Sequence, residues 1–378
     1  MRVVVLGAGF GGLELTTRLS EEFGDTAEIV LIDATDTFVM GAAKLDVLVG
    51  RVTAEAVQHP YRSIVKRGVR FVQTTVRAIH PADRRVETDA GPFDADILVV
   101  ALGADVIPTA TPGLAEGGHQ FFTLAGASAA NGALARFVGG RVVVGVTSLP
   151  FKCLPAPSEA ALMVHEYLAE HGLGHRSEVA LVMPTETPVP PSRAASDALL
   201  SAFAEHGISW YPKRAVLALD PARKVAVLSG GEELAYDLFL GVPVHRAPAV
   251  VLESGLCRDG WIPVDRSTLT TAFPGVFAIG DVTSVGTPKA GVFAEGQAAA
   301  VANAIIATQH GRGQPGPYEG DGTCYADFGH DQIGLIRVTF RDGERPVGTF
   351  AGPSQDYAAE KSEFAASRIR RWFGNDTA

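Results

Sequence analysis

The feature that most constrains this chain is a glycine pattern close to its N-terminus. An apolar run, Val3–Leu6, leads directly into Gly7, Gly9 and Gly12, spaced as G-x-G-x-x-G. In a β-α-β unit the first glycine permits a tight turn, the second lets the backbone approach a pyrophosphate, and the third allows close helix-to-strand packing. A second apolar run ends at Asp33, where a carboxylate accepts hydrogen bonds from an adenosine ribose. The pattern predicts a dinucleotide-binding fold, and a glycine-rich turn without a ligand is the alternative.

Composition narrows the class of protein further. The chain has 378 residues, 47% hydrophobic and 20% charged, with a formal net charge of -10. These values are typical of a compact enzyme of two or three domains. The negative charge argues against nucleic acid as a partner, because nucleic acids are bound by clustered positive charge. No apolar run of about 18 residues occurs, so no transmembrane helix is expected. Because the glycine pattern follows the first residues so closely, we expect no signal peptide and a cytoplasmic protein.

A downstream segment carries a resemblance that specifies the cofactor. Thr271–Asp281 resembles the second flavin motif of the pyridine nucleotide-disulfide oxidoreductase superfamily. By this resemblance Asp281 bonds the ribityl chain of FAD, and Gly280 allows its close approach. A stretch ending at Gly103 resembles the turn that closes the first flavin half, and one containing Lys289 resembles the start of a helix directed at the flavin ring. A helix-capping role for the aspartate is the alternative.

The corresponding nicotinamide motif is missing. Members of the superfamily that use NADH carry a second G-x-G-x-x-G in the middle domain, where this chain reads Gly140–Val146 followed by Thr-Ser-Leu-Pro. Without small residues the backbone cannot approach a pyrophosphate, and Pro150 lacks a backbone donor. We therefore predict that NAD(P)H is not a substrate and that electrons enter from another donor.

Three cysteines, Cys153, Cys257 and Cys324, are too scattered for a disulfide scaffold or a zinc cluster. The histidines are interpreted as surface or core residues, and no metal site is predicted. In an intracellular chain a cysteine pair is more often catalytic, although each cysteine alone can serve as a small buried apolar residue. Cys257 is interpreted as structural.

The stretches around two of the cysteines resemble a specific family. Residues 150–159, 322–325 and 360–374 resemble the flavoprotein subunit of flavocytochrome c sulfide dehydrogenase and, less closely, sulfide:quinone oxidoreductase. The resemblance implies a redox disulfide between Cys153 and Cys324, with Cys324 nearer the flavin and Cys153 carrying a persulfide. A sulfur nucleophile would open this disulfide by thiol exchange. Quinone or an electron-transfer protein would then accept the electrons.

Two neighbouring side chains are candidates for tuning this chemistry. Glu159 matches a glutamate of the family, and a carboxyl among prolines and apolar residues can have a raised pKa suited to proton transfer. The alternative is a carboxylate that interacts with the helix dipole from the first turn. Lys152 would depress the pKa of the adjacent thiol if the two side chains met.

The chain also departs from the flavocytochromes. Those proteins attach FAD through a cysteine that is absent from residues 37–44, so we expect noncovalent FAD. The chain also has no C-x-x-C-H haem motif. The C-terminal helix, Tyr357–Phe373, has a few apolar residues among several cations, which suits peripheral membrane contact or packing against a second subunit.

Alternating strands and helices predict an α/β fold with two nested Rossmann-like domains and a small α+β C-terminal domain. The expected bounds are 1–108 and 240–312 for a discontinuous FAD domain, 109–239 for the middle domain and 313–378 for the C-terminal domain. The leading hypothesis is oxidation of sulfide or a small thiol or persulfide. An NADH-dependent dehydrogenase and a flavin-bound redox sensor without turnover are the alternatives.

Overall fold

The computed structural model describes residues 1–313 and 315–374. The N-terminal glycine pattern follows the central strand of a five-stranded parallel sheet, here called the first sheet. Residues 3–6 of that strand are completely buried because both faces of the sheet are covered. The strands of the first sheet, in their order across it, are Val276–Ala278, Ile97–Val100, Arg2–Leu6, Glu28–Asp33 and Val69–Gln73.

Alternate residues of the central strand point into two different layers. Val3 and Val5 pack against the helices Phe10–Phe23 and Gly291–Gln309, which lie side by side on one face. Val4 and Leu6 pack against the other layer, a three-stranded antiparallel sheet. Its strands are Val76–His80, Arg85–Thr88 and Gly91–Asp94.

A second parallel sheet repeats this arrangement in the middle of the chain. One face is covered by the helices Leu124–Ala135, Ala156–Glu170 and Arg193–Glu205, which contribute to one apolar core. The other face is covered by the antiparallel strands Val216–Asp220, Val225–Leu228 and Glu233–Ala235. The second sheet runs in the order His119–Gln120, Leu238–Val242, Gly140–Val146, Ser177–Val182 and Ser209–Tyr211. The predicted α/β class with two Rossmann-like sheets is thereby confirmed.

The strand Leu238–Val242 belongs to the second sheet, which affects where the middle domain ends. It pairs in parallel with Gly140–Val146, and the boundary expected between residues 239 and 240 falls inside it. We therefore propose that the middle domain ends after Val242. The chain then returns through Val244–Arg246, which pairs antiparallel with Asp105–Ile107 on the outgoing connection. Shorter elements complete this part: strands Thr37–Val39 and Gln58–Pro60, and helices Ala43–Leu48, Leu114–Gly117 and Ala249–Leu252.

The C-terminal part is an antiparallel sheet followed by a helix. Its strands are Asp321–Asp327, Ile333–Thr339 and Val347–Ser354, and its helix is Asp356–Phe373. Residues 314 and 375–378 of the expected C-terminal domain lie outside the described residues. Within the described ranges, no helix has both the length and the apolar character needed to cross a membrane.

The C-terminal helix packs against the chain's own first domain. Trp372 is completely buried, and its indole N–H donates to the Glu14 carboxylate at 3.0 Å. Arg371 pairs with the same carboxylate at 2.8 Å, and Arg368 pairs with Glu295 at 2.6 Å. Three of the apolar residues that suggested a membrane surface or a second subunit, Ile369, Trp372 and Phe373, are therefore covered within the chain, whereas Phe364 is half-buried. The covered residues meet the aromatic ring of Phe10 and its neighbours, which sequence periodicity could not reveal.

Candidate active site

The N-terminal glycine turn leaves open space at the start of a helix. Gly7 has a φ of +100°, and a Cβ atom at Gly12 would collide with the carbonyl oxygen of Gly7. A Cβ atom at Gly9, in contrast, would have no heavy atom within 4 Å. No side chain caps the helix that begins at Phe10. The turn thus offers a helix N-terminus and an unobstructed backbone, which is the arrangement that binds a pyrophosphate.

Asp33 fixes the shape of this turn. One carboxylate oxygen accepts the backbone N–H of Ala8 at 2.8 Å, and the other accepts the N–H and hydroxyl of Thr35 at 2.9 and 2.7 Å. The hydroxyl of buried Tyr61 donates to the carbonyl of Ala8 at 2.8 Å, and burial raises the pKa of that phenol. Tyr61 was not expected from the sequence. Its ring lies on a segment far from the glycine pattern, with no local motif to mark it.

The second flavin segment forms a turn followed by a carboxylate. Gly280 has a φ of +77°, and its N–H donates to the side-chain oxygen of Gln297 at 2.6 Å. Asp281 follows, half-buried. The Lys289 ammonium donates to the carbonyls of Asp281 and Thr283 at 2.6 and 3.1 Å. Lys289 therefore braces the backbone that presents Asp281.

Three lysines surround the Asp281 carboxylate. Burial raises the pKa of Asp281, while the charges of Lys152, Lys289 and Lys44 oppose that rise. Lys152 donates to the carbonyl of Ala104 at 2.8 Å, next to the turn at Gly103, whose φ is +69°. The arrangement concentrates positive charge around one acid.

Lys44 is a site residue that sequence reasoning missed. Burial lowers the pKa of its ammonium to about 8, the charge of Lys152 adds to this effect, and the charge of Asp281 opposes it. Burial also lowers the pKa of Lys289 to about 8. One feature of the sequence could have pointed to Lys44. It is the last residue of the stretch 37–44, which aligns with the flavin-attachment region of the flavocytochromes but lacks their cysteine.

Cys153 and Cys324 line the same apolar cavity. Both are free thiols in the structure, and the cavity has a volume of about 30 Å³. Cys153 lies on the loop after the second sheet's central strand, with a φ of +58°, and its N–H donates to the Lys289 carbonyl at 2.8 Å. Cys324 lies on the strand Asp321–Asp327. Cys257 packs elsewhere, against the antiparallel layer of the first domain.

Both thiols of the cavity are held in the neutral form. Burial raises the pKa of Cys324 to about 12, and the charge of Glu159 adds to that effect. The pKa of Cys153 is also well above its ordinary value, mainly through burial and then through Glu159. The expectation that Lys152 lowers the pKa of Cys153 is wrong, because its ammonium points to the carbonyl of Ala104.

Glu159 lies beside the cysteines in the first turn of its helix. Only 3% of its surface is exposed, and one carboxyl oxygen accepts the backbone N–H of Asp327 at 3.0 Å. Burial raises its pKa to about 7, against the opposing charge of Lys361. A carboxyl with this pKa can take up and release a proton near neutral pH.

The second sheet has no glycine turn at the position of a nicotinamide site. Its central strand ends at Val146, and residues 147–155 separate it from the next helix. The N–H and hydroxyl of Thr147 both donate to the carbonyl of Val242, at 3.0 and 3.1 Å. The helix begins after Pro155, which has no N–H to offer. This connection carries Cys153 in place of a pyrophosphate-binding turn.

The open glycine turn and the Asp281 cluster fit a flavin dinucleotide, and together with the two sheets they define a flavin-dependent oxidoreductase. Residues 1–311 match the family described as pyridine nucleotide-disulphide oxidoreductase, and the chain belongs to that family. FAD is its cofactor.

Known proteins extend the comparison over the whole chain. The mitochondrial sulfide:quinone oxidoreductase of Mus musculus is 24% identical over 371 residues, which cover 92% of this chain and 80% of that protein. The crystal structure of the sulfide:quinone oxidoreductase from Aquifex aeolicus has a TM-score of 0.88 at 22% identity, covering 100% of this chain and 92% of that one. A type II NADH:quinone oxidoreductase of Staphylococcus saprophyticus is 39% identical over 104 residues, covering 27% of this chain and 26% of that protein.

Proposed function

We propose that this oxidoreductase oxidises sulfide through the Cys153–Cys324 pair and passes the electrons through FAD to a quinone. The observation that carries the proposal is the shared cavity of the two cysteines. They come from different domains, yet both line it together with Pro288, Ala290 and Phe293. Those three residues belong to the segment that opens the helix Gly291–Gln309, which follows the Asp281 turn.

The sulfur chemistry follows from thiol exchange in the oxidised pair. Hydrosulfide attacks the sulfur of Cys153, an S–S bond forms, and the Cys153–Cys324 bond breaks with its electron pair left on Cys324. The products are a persulfide on Cys153 and a thiolate on Cys324. A second hydrosulfide removes the outer sulfur from Cys153 as disulfide anion HSS⁻, and this restores the thiol. Bound FAD supplies the two-electron acceptor that regenerates the disulfide.

The cavity favours a very small sulfur donor. One buried water needs roughly 10–15 Å³, so about 30 Å³ holds only two or three groups of that size. The lining apart from the cysteines is glycine and apolar residues, including Leu154, Val189 and Ile336. A peptide-like or nucleotide thiol would have to leave its polar groups outside or unpaired. Sulfide therefore fits better than a large thiol.

Glu159 is the proposed proton acceptor of the cycle. Hydrogen sulfide must lose a proton before it attacks, and thiols must lose protons before they form a disulfide. The buried carboxyl near both sulfurs, with a pKa of about 7, can accept those protons at neutral pH. This role accounts for a titratable group close to an otherwise apolar cavity.

Quinone as the acceptor rests on the relatives that cover most of the chain. Those proteins are named for sulfide and quinone. An electron-transfer protein is the competing acceptor. Reoxidation of the sulfide-reduced protein under anaerobic conditions distinguishes them, because a short-chain quinone should restore the flavin absorbance within one turnover. No recovery with quinone would contradict this part of the proposal.

NADH is the competing donor, and the match to type II NADH:quinone oxidoreductases keeps it in view. The long connection between Val146 and Ala156 argues against it, because it provides no glycine turn at a helix N-terminus. Anaerobic mixing with each donor decides: sulfide should bleach the flavin rapidly and NADH should not. Bleaching by NADH alone would favour the dehydrogenase, and bleaching by neither donor would favour a redox sensor.

A further inference from the structure

A charged cluster lies next to the cysteine cavity, on the side of the C-terminal helix. The Asp327 carboxylate is its centre, with only 3% of the side chain exposed. It accepts from Lys361 at 2.8 Å and from Arg51 at 2.9 Å. Arg51 also reaches Glu166 at 2.6 Å. The cluster thus joins four segments of the chain around one buried acid.

Asp327 links this cluster directly to Glu159. Its side chain holds Lys361, while its backbone N–H donates to the Glu159 carboxyl at 3.0 Å. The strand that carries Asp327 also carries Cys324. A cation on the C-terminal helix is therefore two hydrogen bonds away from the carboxyl beside the cysteines.

We propose that Lys361 is a positioning residue that acts with Asp327 to set the protonation of Glu159. The consequence of this role is the pH range in which the cysteine pair reacts, and this consequence rests on the proposed function. Lys361 and Asp327 act through Glu159, because the hydrogen bonds from Lys361 to Asp327 and from Asp327 to Glu159 connect them to that carboxyl.

The charges that face Glu159 have opposite signs. Lys361, from the C-terminal helix, lowers the pKa of Glu159, whereas Asp327 and Asp46 raise it. Asp46 comes from the helix Ala43–Leu48, and burial raises its own pKa. The two cavity thiols also lie near this carboxyl and feel its charge in turn.

These opposite signs give a test that a purely structural role would not reproduce. Removing an opposite charge at close range changes a pKa by about 1 to 3 units. Lys361→Gln should therefore move the midpoint of Glu159 ionisation to higher pH by at least about one unit. Asp327→Asn, which keeps the backbone hydrogen bond, should move it to lower pH, and so should Asp46→Asn. Lys361→Arg should restore the parent midpoint.

The midpoint is read from the infrared carbonyl band of the protonated carboxyl, assigned as the band that Glu159→Gln removes, in the FAD-loaded protein. Arg370→Gln is the matched control, because Arg370 lies on the same helix but pairs with Glu363, and it should not change the midpoint. Shifts of Lys361→Gln and Asp327→Asn in the same direction, or no shift in either, would overturn the proposal. If one of these variants fails to fold, the direction of the midpoint shift in Asp46→Asn is an independent test. The infrared band of Glu159 is measured without sulfide. If the predicted shifts occur but the protein does not oxidise sulfide, the proposed function is rejected and the role of Lys361 and Asp327 is retained.

Discussion

The backbone N–H of Cys153 donates a 2.8 Å hydrogen bond to the carbonyl of Lys289. Cys153 belongs to the middle domain, whereas Lys289 belongs to the first domain and braces Asp281 through its ammonium. The contact holds Cys153 with a φ of +58°, a region that residues other than glycine rarely adopt. The cysteine and the candidate flavin carboxylate are therefore fixed to the same short segment.

The glycine turn predicts different outcomes for two similar substitutions. Gly9→Ala adds a methyl group where the structure has no neighbour within 4 Å. The free energy of unfolding should change by less than about 0.5 kcal/mol. FAD affinity should fall at least about tenfold, because the methyl group occupies the approach to the pyrophosphate. Titration of the unloaded protein with FAD and urea unfolding measure these effects.

Gly12→Ala is the matched comparison for that substitution. Its methyl group would overlap the carbonyl of Gly7, so the free energy of unfolding itself should fall by about 2 kcal/mol or more. Equal effects of the two substitutions on stability would contradict the assignment of Gly9 to the ligand and Gly12 to packing.

Asp281→Asn should weaken FAD binding, so that the purified protein retains less FAD than the parent. The substitution leaves Lys44, Lys152 and Lys289 without the acid that they face, and it removes the proposed acceptor for the ribityl hydroxyls. We expect FAD affinity to fall at least about tenfold, or 1.4 kcal/mol. The flavin absorbance per protein measures the loss. Asp259→Asn is the control, because Asp259 is exposed and its φ of +52° suits asparagine. Retention of FAD by the Asp281 variant would refute its role.

The Glu159 carboxyl makes stability depend on pH. Its pKa rises from 4.5 to about 7 in the folded protein, so the folded state holds the proton more tightly than the unfolded state. The carboxyl therefore does not lower the free energy of unfolding below pH 4.5. Between pH 4.5 and about pH 7 it lowers this free energy by an amount that increases with pH, and above pH 7 the reduction is constant. Glu159→Gln should remove a cost on the order of 3 kcal/mol at pH 8 and much less at pH 5.

Urea unfolding of the parent and the Glu159 variant at both pH values tests this dependence. The gain in free energy of unfolding should be larger at pH 8. An equal gain at both values, or a larger one at pH 5, would mean that the carboxyl is ionised throughout.

The C-terminal helix should contribute strongly to stability. Trp372 is completely buried, and its indole N–H bonds Glu14. Trp372→Ala should destabilise the protein by about 3 to 5 kcal/mol. Trp372→Phe keeps most of the packing and removes one hydrogen bond to Glu14, which still pairs with Arg371, so the cost should be smaller, about 1 to 2 kcal/mol. Thermal unfolding of both variants measures the order. Wild-type stability of the alanine variant would show that the helix does not dock as described.

Local patterns predicted those parts of the fold and site that depend on contiguous residues. The glycine turn from Gly7 to Gly12 and the turn before Asp281 are short segments whose conformation depends on their own residues. The α/β class followed from alternating strands and helices. Local patterns did not determine the boundary near residue 240, because the apolar run Leu238–Val242 can belong to either sheet by composition alone.

Residues that join the site through distant contacts were not predictable in this way. Lys44 and Tyr61 each reach the site from a separate element, and their immediate neighbours in sequence form no motif. Lys361 lies in the segment 360–374 that resembles the flavocytochromes, but the sequence did not show that it pairs with Asp327. The C-terminal helix shows a related limit. The apolar side chains of this helix indicated that it packs against another surface. The sequence did not show that Phe10 and Phe38 form part of that surface.

In the proposed cycle, both cavity cysteines are needed for sulfide to reduce the flavin. Cys153→Ser, Cys324→Ser and the control Cys257→Ser should all retain FAD, since none of these side chains belongs to the glycine turn or the Asp281 cluster. Anaerobic mixing with sulfide, followed by flavin absorbance, is the most direct measurement. We expect rapid bleaching in the parent and the Cys257 variant. In the other two variants, bleaching should be at least about a thousandfold slower, which corresponds to about 4 kcal/mol in the barrier. Bleaching at the parent rate in either cavity variant would contradict the proposed cycle.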